Sequence, residues 1–554
     1  MDWRLSRMRK GRRYNGYVRT NSVSLQFQRG GVRMNKKRSL SSRAVGIVLT
    51  VLLMALLATP ASFAASGTPR KGGVMKIAVD GEPASLDSML TTATITTSIA
   101  WHIFETLFTF GSKMEVIPML AKDYVVADKG RTYTINLRQG ILFHNGKEMD
   151  ADDVIASITR WGKYSSNGKP TVANFASMEK TGKYQVVIKL KASDALLLTN
   201  LALDAAGANI MPKDISDAAG GEPVKTFVGT GPYKFVEWKP NQHIKLTRFA
   251  EYKPLDGQAN GYGGRKVAHV DDLVFMFVPD QTVQSAGVEA GDFDYAYAVN
   301  SEEYERLKKT RGVQVVVSPP RAWLGFIINT KQGLMADKRI RQAVLACLDM
   351  EPILLISRGH KDMWRMDPSL NQKETVWWSN KGANLYNQKN MAKAKKLLAE
   401  AGYKGEPIRW MASYEGYYNA ALVAKSQLEA IGMKVELSKY EVATESSRRK
   451  DPKLWDMSVT GYTLKADPTL NTFLKASNPG WWENAEVAAL MDDLRFETDQ
   501  KKRHAMVERI QELFYDDVPY IKIGDYATFR LLSARVKGFA NMGNIFFWNV
   551  WLDK

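Results

Sequence analysis

The residue types that could do chemistry are few and spread out. The six histidines (His102, His144, His243, His269, His360 and His504) include no pair at metal-ligand spacing. The one cysteine, Cys347, stands among Val344, Leu345 and Leu348, a setting for a buried, inert thiol. A single cysteine excludes an internal disulfide framework and a cysteine-built zinc site. No nucleophile-elbow, zinc-protease or phosphate-loop pattern occurs. Neither catalysis, a metal nor a cofactor is therefore expected. The chain is instead rich in rings, with 14 tryptophans that include the adjacent pairs Trp377-Trp378 and Trp481-Trp482. Tyr414, Tyr417 and Tyr418 cluster in what reads as the loop before a helix beginning near Asn419. Rings give broad apolar contact with a polar tip, which suits binding. Most of the tryptophans are expected in cores.

The elements that must position these residues alternate between strand and helix. Val74 to Val79 and Tyr184 to Leu190 read as strands, as does Asp272 to Val278. Thr132 to Leu137 alternates polar and apolar, a half-buried strand. Asp150 to Trp161 opens with acids suited to a helix N-terminus and sets Val154, Ile155, Ile158 and Trp161 on one face. Helices are expected over Arg339 to Leu348, Met391 to Ala401, Asn419 to Ile431 and Asp499 to Asp516. Gly402 and Gly432 stop the second and third of these. A strand over Lys434 to Leu437 follows. The class is mixed α/β (α+β).

Length and charge narrow the setting. At ~100–200 residues per domain, 554 residues make roughly three units. With 45% hydrophobic and 24% charged residues the chain is globular. The net charge of +19 would suggest nucleic acid, but residues 1–64 hold thirteen Lys/Arg against the single acid Asp2. Most of the excess belongs to that segment, so no nucleic acid is expected as partner. Within it a basic stretch from Met34 to Arg43 precedes an apolar run from Ala44 to Ala58, then Ala61-Ser62-Phe63-Ala64. That order describes a secretory signal peptide over 34–64, cleaved after Ala64. The run is shorter than the ~20 residues a bilayer-spanning helix needs. Residues 1–33 read as an extension upstream of the true start at Met34. A periplasmic location is expected.

Ordered motifs then carry a resemblance. Lys71 to Ala78 leads to Glu82-Pro83 and Leu86-Asp87, then Ile103 to Phe108. The most specific block, Tyr133 to Trp161, holds a Leu-Arg-x-Gly turn, a Phe-His-x-Gly turn and a helix opened by Ala-Asp-Asp-Val. Gly229-Thr-Gly-Pro-Tyr233, Gly291-Asp-Phe-Asp294, Asp337 to Asp349 and Ala392 to Tyr403 follow in order. Together they make the chain similar to the solute-binding proteins of peptide, nickel and opine ABC importers. The resemblance implies a two-lobed periplasmic-binding-protein clamshell with an additional inserted domain. Domain I would be 65–108, 223–318 and 529–554, domain II 109–222, and domain III 319–528. It implies a monomeric carrier that closes over a small molecule or short peptide and docks on a membrane permease and, through it, ATPase subunits. Carriers of opines, oligosaccharides or metal chelates, and signalling proteins on the same fold, stay open as alternatives. Glu105, Asp152, Asp153 and Arg160 fall in the shared blocks, where capping and ion pairing are expected.

The resemblance also implies where the ligand lies. In dipeptide-binding relatives an aspartate four residues before a proline, in a Gly-aromatic-Thr segment, pairs with the ligand amine. Here Gly461-Tyr462-Thr463 runs on to Asp467-Pro468, and that position is Leu464. The arginine that pairs with the dipeptide carboxylate would fall near Met411, with Arg409 the nearest. Both anchors are missing, and a buried ionic end needs a counter-charge or several hydrogen bonds. Asp467 replaces the lost carboxylate only if the register slips. Trp323 and Tyr462 occupy segments that line the cleft in relatives. Arg321, two residues before Trp323, is placed to meet a carboxylate, and Tyr414 to offer a ring.

Overall fold

The computed structural model describes residues 68–553. The expected leader, its cleavage site after Ala64 and the 1–33 extension lie outside the described residues. Three sheets carry the architecture. The first has seven strands, in the order Val313–Val317, Phe529–Ser533, Tyr295–Ala296, Val74–Val79, Asp272–Phe277, His243–Arg248 and Tyr233–Lys239. Val74–Val79 runs parallel to both of its neighbours, with Val74 opposite Asp272 and Ile77 opposite Tyr295. The second has six strands, in the order Trp364–Arg365, Tyr520–Tyr526, Ala322–Ile328, Met457–Thr463, Pro407–Ala412 and Lys434–Lys439. The third is antiparallel, in the order Ala121–Ala127, Thr132–Leu137, Gln185–Leu190 and Phe175–Gly182.

Local chemistry explains the elements. In Thr132–Leu137 the alternation buries Tyr133, Ile135 and Leu137 and leaves the residues between them half-buried. The helix Ala151–Tyr164 starts where Asp150 accepts from the backbone N–H of Asp152 (2.9 Å) and Asp153, and the Asp153 carboxylate answers by accepting from the Asp150 N–H at 3.1 Å. That reciprocal cap satisfies donors that the helix itself cannot. Met391–Ala401 stops at Gly402, whose φ of 73° is left-handed. One expected boundary moves. The helix expected from Asn419 to Ile431 spans Glu415–Glu429, so Tyr417 and Tyr418 lie in its first turn and Tyr414 is its N-cap. The apolar pattern starts late because the buried residues are Ala420, Ala421, Ala424 and Leu428, while the first turn holds Gly416. A Cβ on Gly416 would lie 2.8 Å from the Ser357 carbonyl oxygen, so glycine allows this helix to pack against the end of Met350–Arg358.

Apolar side chains form two cores. One lies under the seven- and four-stranded sheets and includes Ile77, Phe104, Tyr133, Trp161, Phe275 and Trp548. The other surrounds the six-stranded sheet and includes Trp323, Phe326, Trp410, Trp455 and Ile521. We call these bodies the first and second lobes. Two segments, 318–321 and 527–528, cross from one to the other. They are tied together by Ser318 N to Thr528 O (2.7 Å), Thr528 N to Ser318 Oγ (3.2 Å) and Arg321 N to Tyr526 O (3.2 Å). The pairing directions put Val317 at the same end of its sheet as Val79, Phe277 and Ala296. In the second lobe Thr463 and Tyr526 end their strands opposite Ala322, and the parallel strands ending at Ala412 and Lys439 point the same way but stop short of that level. Strand ends of both sheets thus meet at the crossings, the place where ligands bind on open α/β sheets.

Candidate ligand-binding crevice

Trp323 and Tyr462 are cross-strand partners on the six-stranded sheet. Their ring centroids are 4.6 Å apart, and Phe473 stands edge-on to both at 5.3 and 4.9 Å. Trp323 is only 2% exposed, whereas Tyr462 is half-buried above it. Burial holds the Tyr462 phenol well above its ordinary pKa. The Trp323 ring lies over Gly325, where a Cβ would come within 2.3 Å of it. Trp323 is thus the floor of this ring stack and Tyr462 its accessible layer.

Arg321 leaves the crossing beside them. Its carbonyl accepts from Leu464 N at 2.7 Å, which fixes the segment after Tyr462. Its guanidinium reaches the first lobe, 3.5 Å from the Met114 sulfur and packed against Gly543. Tyr262 and Asp204 stand on that side within reach of its charge. Burial raises the Asp204 carboxyl above its ordinary value and the Arg321 charge partly offsets this. Leu464, in the position of the relatives' aspartate, is packed against the first-lobe core. Arg409, beside the position of the relatives' arginine, is committed to Asp456, with Nε and Nη2 both 2.9 Å from its oxygens. Met411 is 2% exposed.

Asp467 borders a different part of the crevice. A cavity of about 570 Å3 lies between Met114, Tyr124, Tyr133 and Leu198 on one side and Trp377, Asp467 and Arg503 on the other. Asp467 is 1% exposed and already has partners: Thr469 N at 3.0 Å, Thr469 Oγ1 at 2.6 Å and Arg503 Nη2 at 2.8 Å. Arg503 in turn lies 4.9 Å from the Trp377 ring centre, and the Trp377 indole donates to the Ala466 carbonyl at 2.7 Å. Tyr414 is 56% exposed and edge-on to Tyr417 at 5.3 Å. Strand alternation puts this pair, which neighbours Gly461, on the sheet face opposite Tyr462.

The structure therefore brings Trp323, Tyr462 and Arg321 together, places Asp467 along the same crevice and sets Tyr414 on the other face. Sequence reasoning did not single out Met114, Tyr262, Trp377 or Arg503 as residues of this crevice. Position Trp377 was legible only as half of a tryptophan pair. Among the residues read as structural, Glu105 accepts from Tyr252 (2.9 Å), Lys266 (3.0 Å) and Thr230 (3.1 Å), and Arg160 holds Asp87 at 2.7 Å. Cys347 is buried, which pushes its thiol up to about 12.

Comparison with known proteins places this geometry. The family model described as bacterial extracellular solute-binding proteins, family 5, matches residues 115–482. The oligopeptide-binding protein AppA of Bacillus subtilis is 28% identical over 529 residues, covering 88% of this chain and 93% of that protein. Heme-binding protein A of Haemophilus influenzae is 27% identical, covering 77% of this chain and 82% of its own length. Among solved structures, the ABC transporter substrate-binding protein CtaP of Listeria monocytogenes superposes with a TM-score of 0.76 at 23% identity, covering 88% of this chain and all of that one. The fold is the two-lobed clamshell of these binding proteins. The chain belongs to the bacterial extracellular solute-binding proteins of family 5.

Proposed function

We propose that this chain is the binding component of an ABC importer, capturing a peptide or peptide-like solute between its lobes and delivering it to a membrane permease. The observation that carries the reading is the crevice itself. Strand ends of both sheets converge on it, rings line it from one lobe, and among the described residues two hydrogen-bonded crossings join the lobes there. A solute that touches both lobes only when they close shifts the open–closed equilibrium by that difference in contact. Tyr462, Arg321 and Trp377 would meet the solute, over the floor made by Trp323. The Asp467 carboxylate, which already has three protein partners, would shape the cavity through Arg503.

The rest of the reading follows. The chain is exported by a signal peptide cleaved after Ala64 and works in the periplasm as a monomer. It needs no cofactor and catalyses nothing, and the permease brings ATPase subunits for release. The domain limits are those given by the sequence, with the seven-stranded sheet drawing on 74–79, 233–317 and 529–533. Among the described residues no helix is long and apolar enough to cross a membrane, which is compatible with a free carrier. A second reading, a metal-chelate carrier, is favoured by the similarity to heme-binding protein A.

Native mass spectrometry of the protein as secreted, before and after mild unfolding, tests both. A tight solute survives purification because it dissociates slowly. A released series of peptide masses is expected. A single sugar, opine or chelate mass would replace the peptide reading. A mature N-terminus other than Ala65 in the same spectrum would overturn the cleavage site.

A further inference from the structure

Tyr526 ends its strand at the level of the crossings, on the face away from Trp323. Arg358, the last residue of the helix Met350–Arg358, lies against it. The guanidinium carbon is 3.7 Å from the centre of the Tyr526 ring and 5.4 Å from that of Tyr417. Nε and Nη2 of Arg358 are buried and have no hydrogen-bond acceptor. Of three arginines buried in the cores, two hold an acid, Arg160 with Asp87 at 2.7 Å and Arg503 with Asp467 at 2.8 Å, and Arg341 donates to three backbone carbonyls. Among the described residues no such ion pair involves Arg358. Stacking on a phenol partly compensates a cation but satisfies none of its donors.

The space beside Arg358 is also shaped. A Cβ on Gly461 would fall 2.5 Å from the Tyr526 hydroxyl and 2.6 Å from that of Tyr417. Gly461 lies outside the left-handed region, so glycine is needed there for room and not for backbone conformation. The two hydroxyls therefore occupy the room that the missing side chain leaves over Gly461, beside the unpaired guanidinium. Past the crossing, Arg530 lies on the first-lobe strand Phe529–Ser533. Its guanidinium carbon is 4.6 Å over the Tyr297 ring in the first lobe, and its Nε is buried without an acceptor. Asp80 is the acid whose charge reaches Tyr297 there.

We infer that Arg358, with the hydroxyls of Tyr417 and Tyr526, seats a carboxylate of the transported solute. This rests on the importer reading above. It moves the anionic anchor from the position now filled by buried Met411 to the opposite face of the sheet. With Leu464 offering no counter-charge to an amine, the chain selects solutes by their free carboxylate and tolerates a blocked amine.

Isothermal titration of the secreted protein with tri- to pentapeptides tests this, each offered as free acid, as C-terminal amide and as an amide carrying O-phosphoserine. The acid is expected to bind at least tenfold tighter than its amide. Arg358→Met should reduce that preference to within twofold, Arg358→Lys should keep part of it, and Tyr417→Phe should weaken it without unfolding the chain. Equal binding of acid and amide, a preference that survives Arg358→Met, or tight binding of only the phosphorylated amides would overturn the seat. The co-purified solute gives an independent readout, because treatment with acidic methanol adds one methyl ester per carboxylate. A released solute that is not a peptide but gains an ester sinks the peptide reading and keeps the seat. A released peptide amide or neutral solute that gains none sinks the seat and leaves the importer. A protein that retains nothing and binds no member of the set overturns both.

Discussion

The two faces of the six-stranded sheet handle charge differently. On the Trp323 face each buried cation has an acid. Lys522 and Asp525 are both 0% exposed and 2.6 Å apart, Arg365 reaches the same Asp525 at 2.8 Å, and Arg503 holds Asp467. On the Tyr526 face Arg358 lies among phenol rings with two nitrogens unserved. An ion-paired network fixes a shape, because breaking either partner leaves an uncompensated charge. An unsatisfied cation costs stability until something supplies the acceptor. On the importer reading above, the paired network holds the ring floor beneath Tyr462, and the unpaired cation is the proposed carboxylate seat.

The largest expected effect breaks the paired side. Asp467→Ala leaves Arg503 buried beside Trp377 and should cost about 3–5 kcal/mol, read as a fall in melting temperature and in denaturant midpoint. The double variant Asp467→Ala/Arg503→Leu should recover most of that loss. If Asp467→Ala melts like the parent, the paired face is not structural and the contrast fails.

The next effect extends the comparison to the first lobe, where two histidines are held neutral. His102 accepts from Phe547 N at 3.0 Å through Nε2, and burial lowers it to about 3. His144 accepts from Gly229 N at 3.3 Å through Nδ1, and burial lowers it to about 4. A histidine whose folded pKa is depressed contributes stability that is complete above the unfolded value near 6.5. That stability is lost as pH falls from there towards the folded value. The slope is about 1.4 kcal/mol per pH unit for each. Hydrogen exchange at pH 7 and pH 4.5 should show protection falling first around Ile99, Gly229 and Phe547. Loss that begins instead around Trp323 and Ile521 would reverse the order.

Much of this was legible in the sequence, and the illegible parts share a cause. Thr132–Leu137, the Asp150 cap and the Gly402 stop are local, so a window of a few residues carries them. The two-residue strand Tyr295–Ala296 has no period to detect, yet it joins Val74–Val79 to Phe529–Ser533 in the first sheet. Tyr417 was read into a loop because Gly416 and small alanines hide the helix that holds it. Arg358 could not be singled out at all. Its significance is the absence of a partner, and that depends on Tyr417, Gly461 and Tyr526, brought together by three separate elements.

Gly325→Ala probes the ring floor with a smaller change. The new methyl would meet Trp323 at 2.3 Å and the Ile521 carbonyl oxygen at 3.1 Å. Overpacking of this kind costs about 1–3 kcal/mol. The Trp323 ring must tilt and push Tyr462 towards the crevice, so solute affinity should fall with stability. Unchanged affinity at reduced stability would separate Tyr462 from the solute.

The smallest expected stability effect belongs to Tyr414, and it separates the two faces most cleanly. The side chain is 56% exposed and its ring contact is Tyr417, so nothing in either core depends on it. Tyr414→Ala should change stability by no more than about 0.5 kcal/mol, as exposed substitutions do. It does, however, remove the ring that stands edge-on to Tyr417 at 5.3 Å. Affinity for a carboxylate-bearing solute should therefore fall several-fold while the melting temperature of the empty protein stays put. On the paired face the opposite dissociation is expected, with Asp467→Ala losing stability far more than selectivity between acid and amide. Should Tyr414→Ala leave titration curves for both forms untouched, Tyr417 needs no outer ring to hold its hydroxyl. The seat would then be confined to Arg358, Tyr417 and Tyr526.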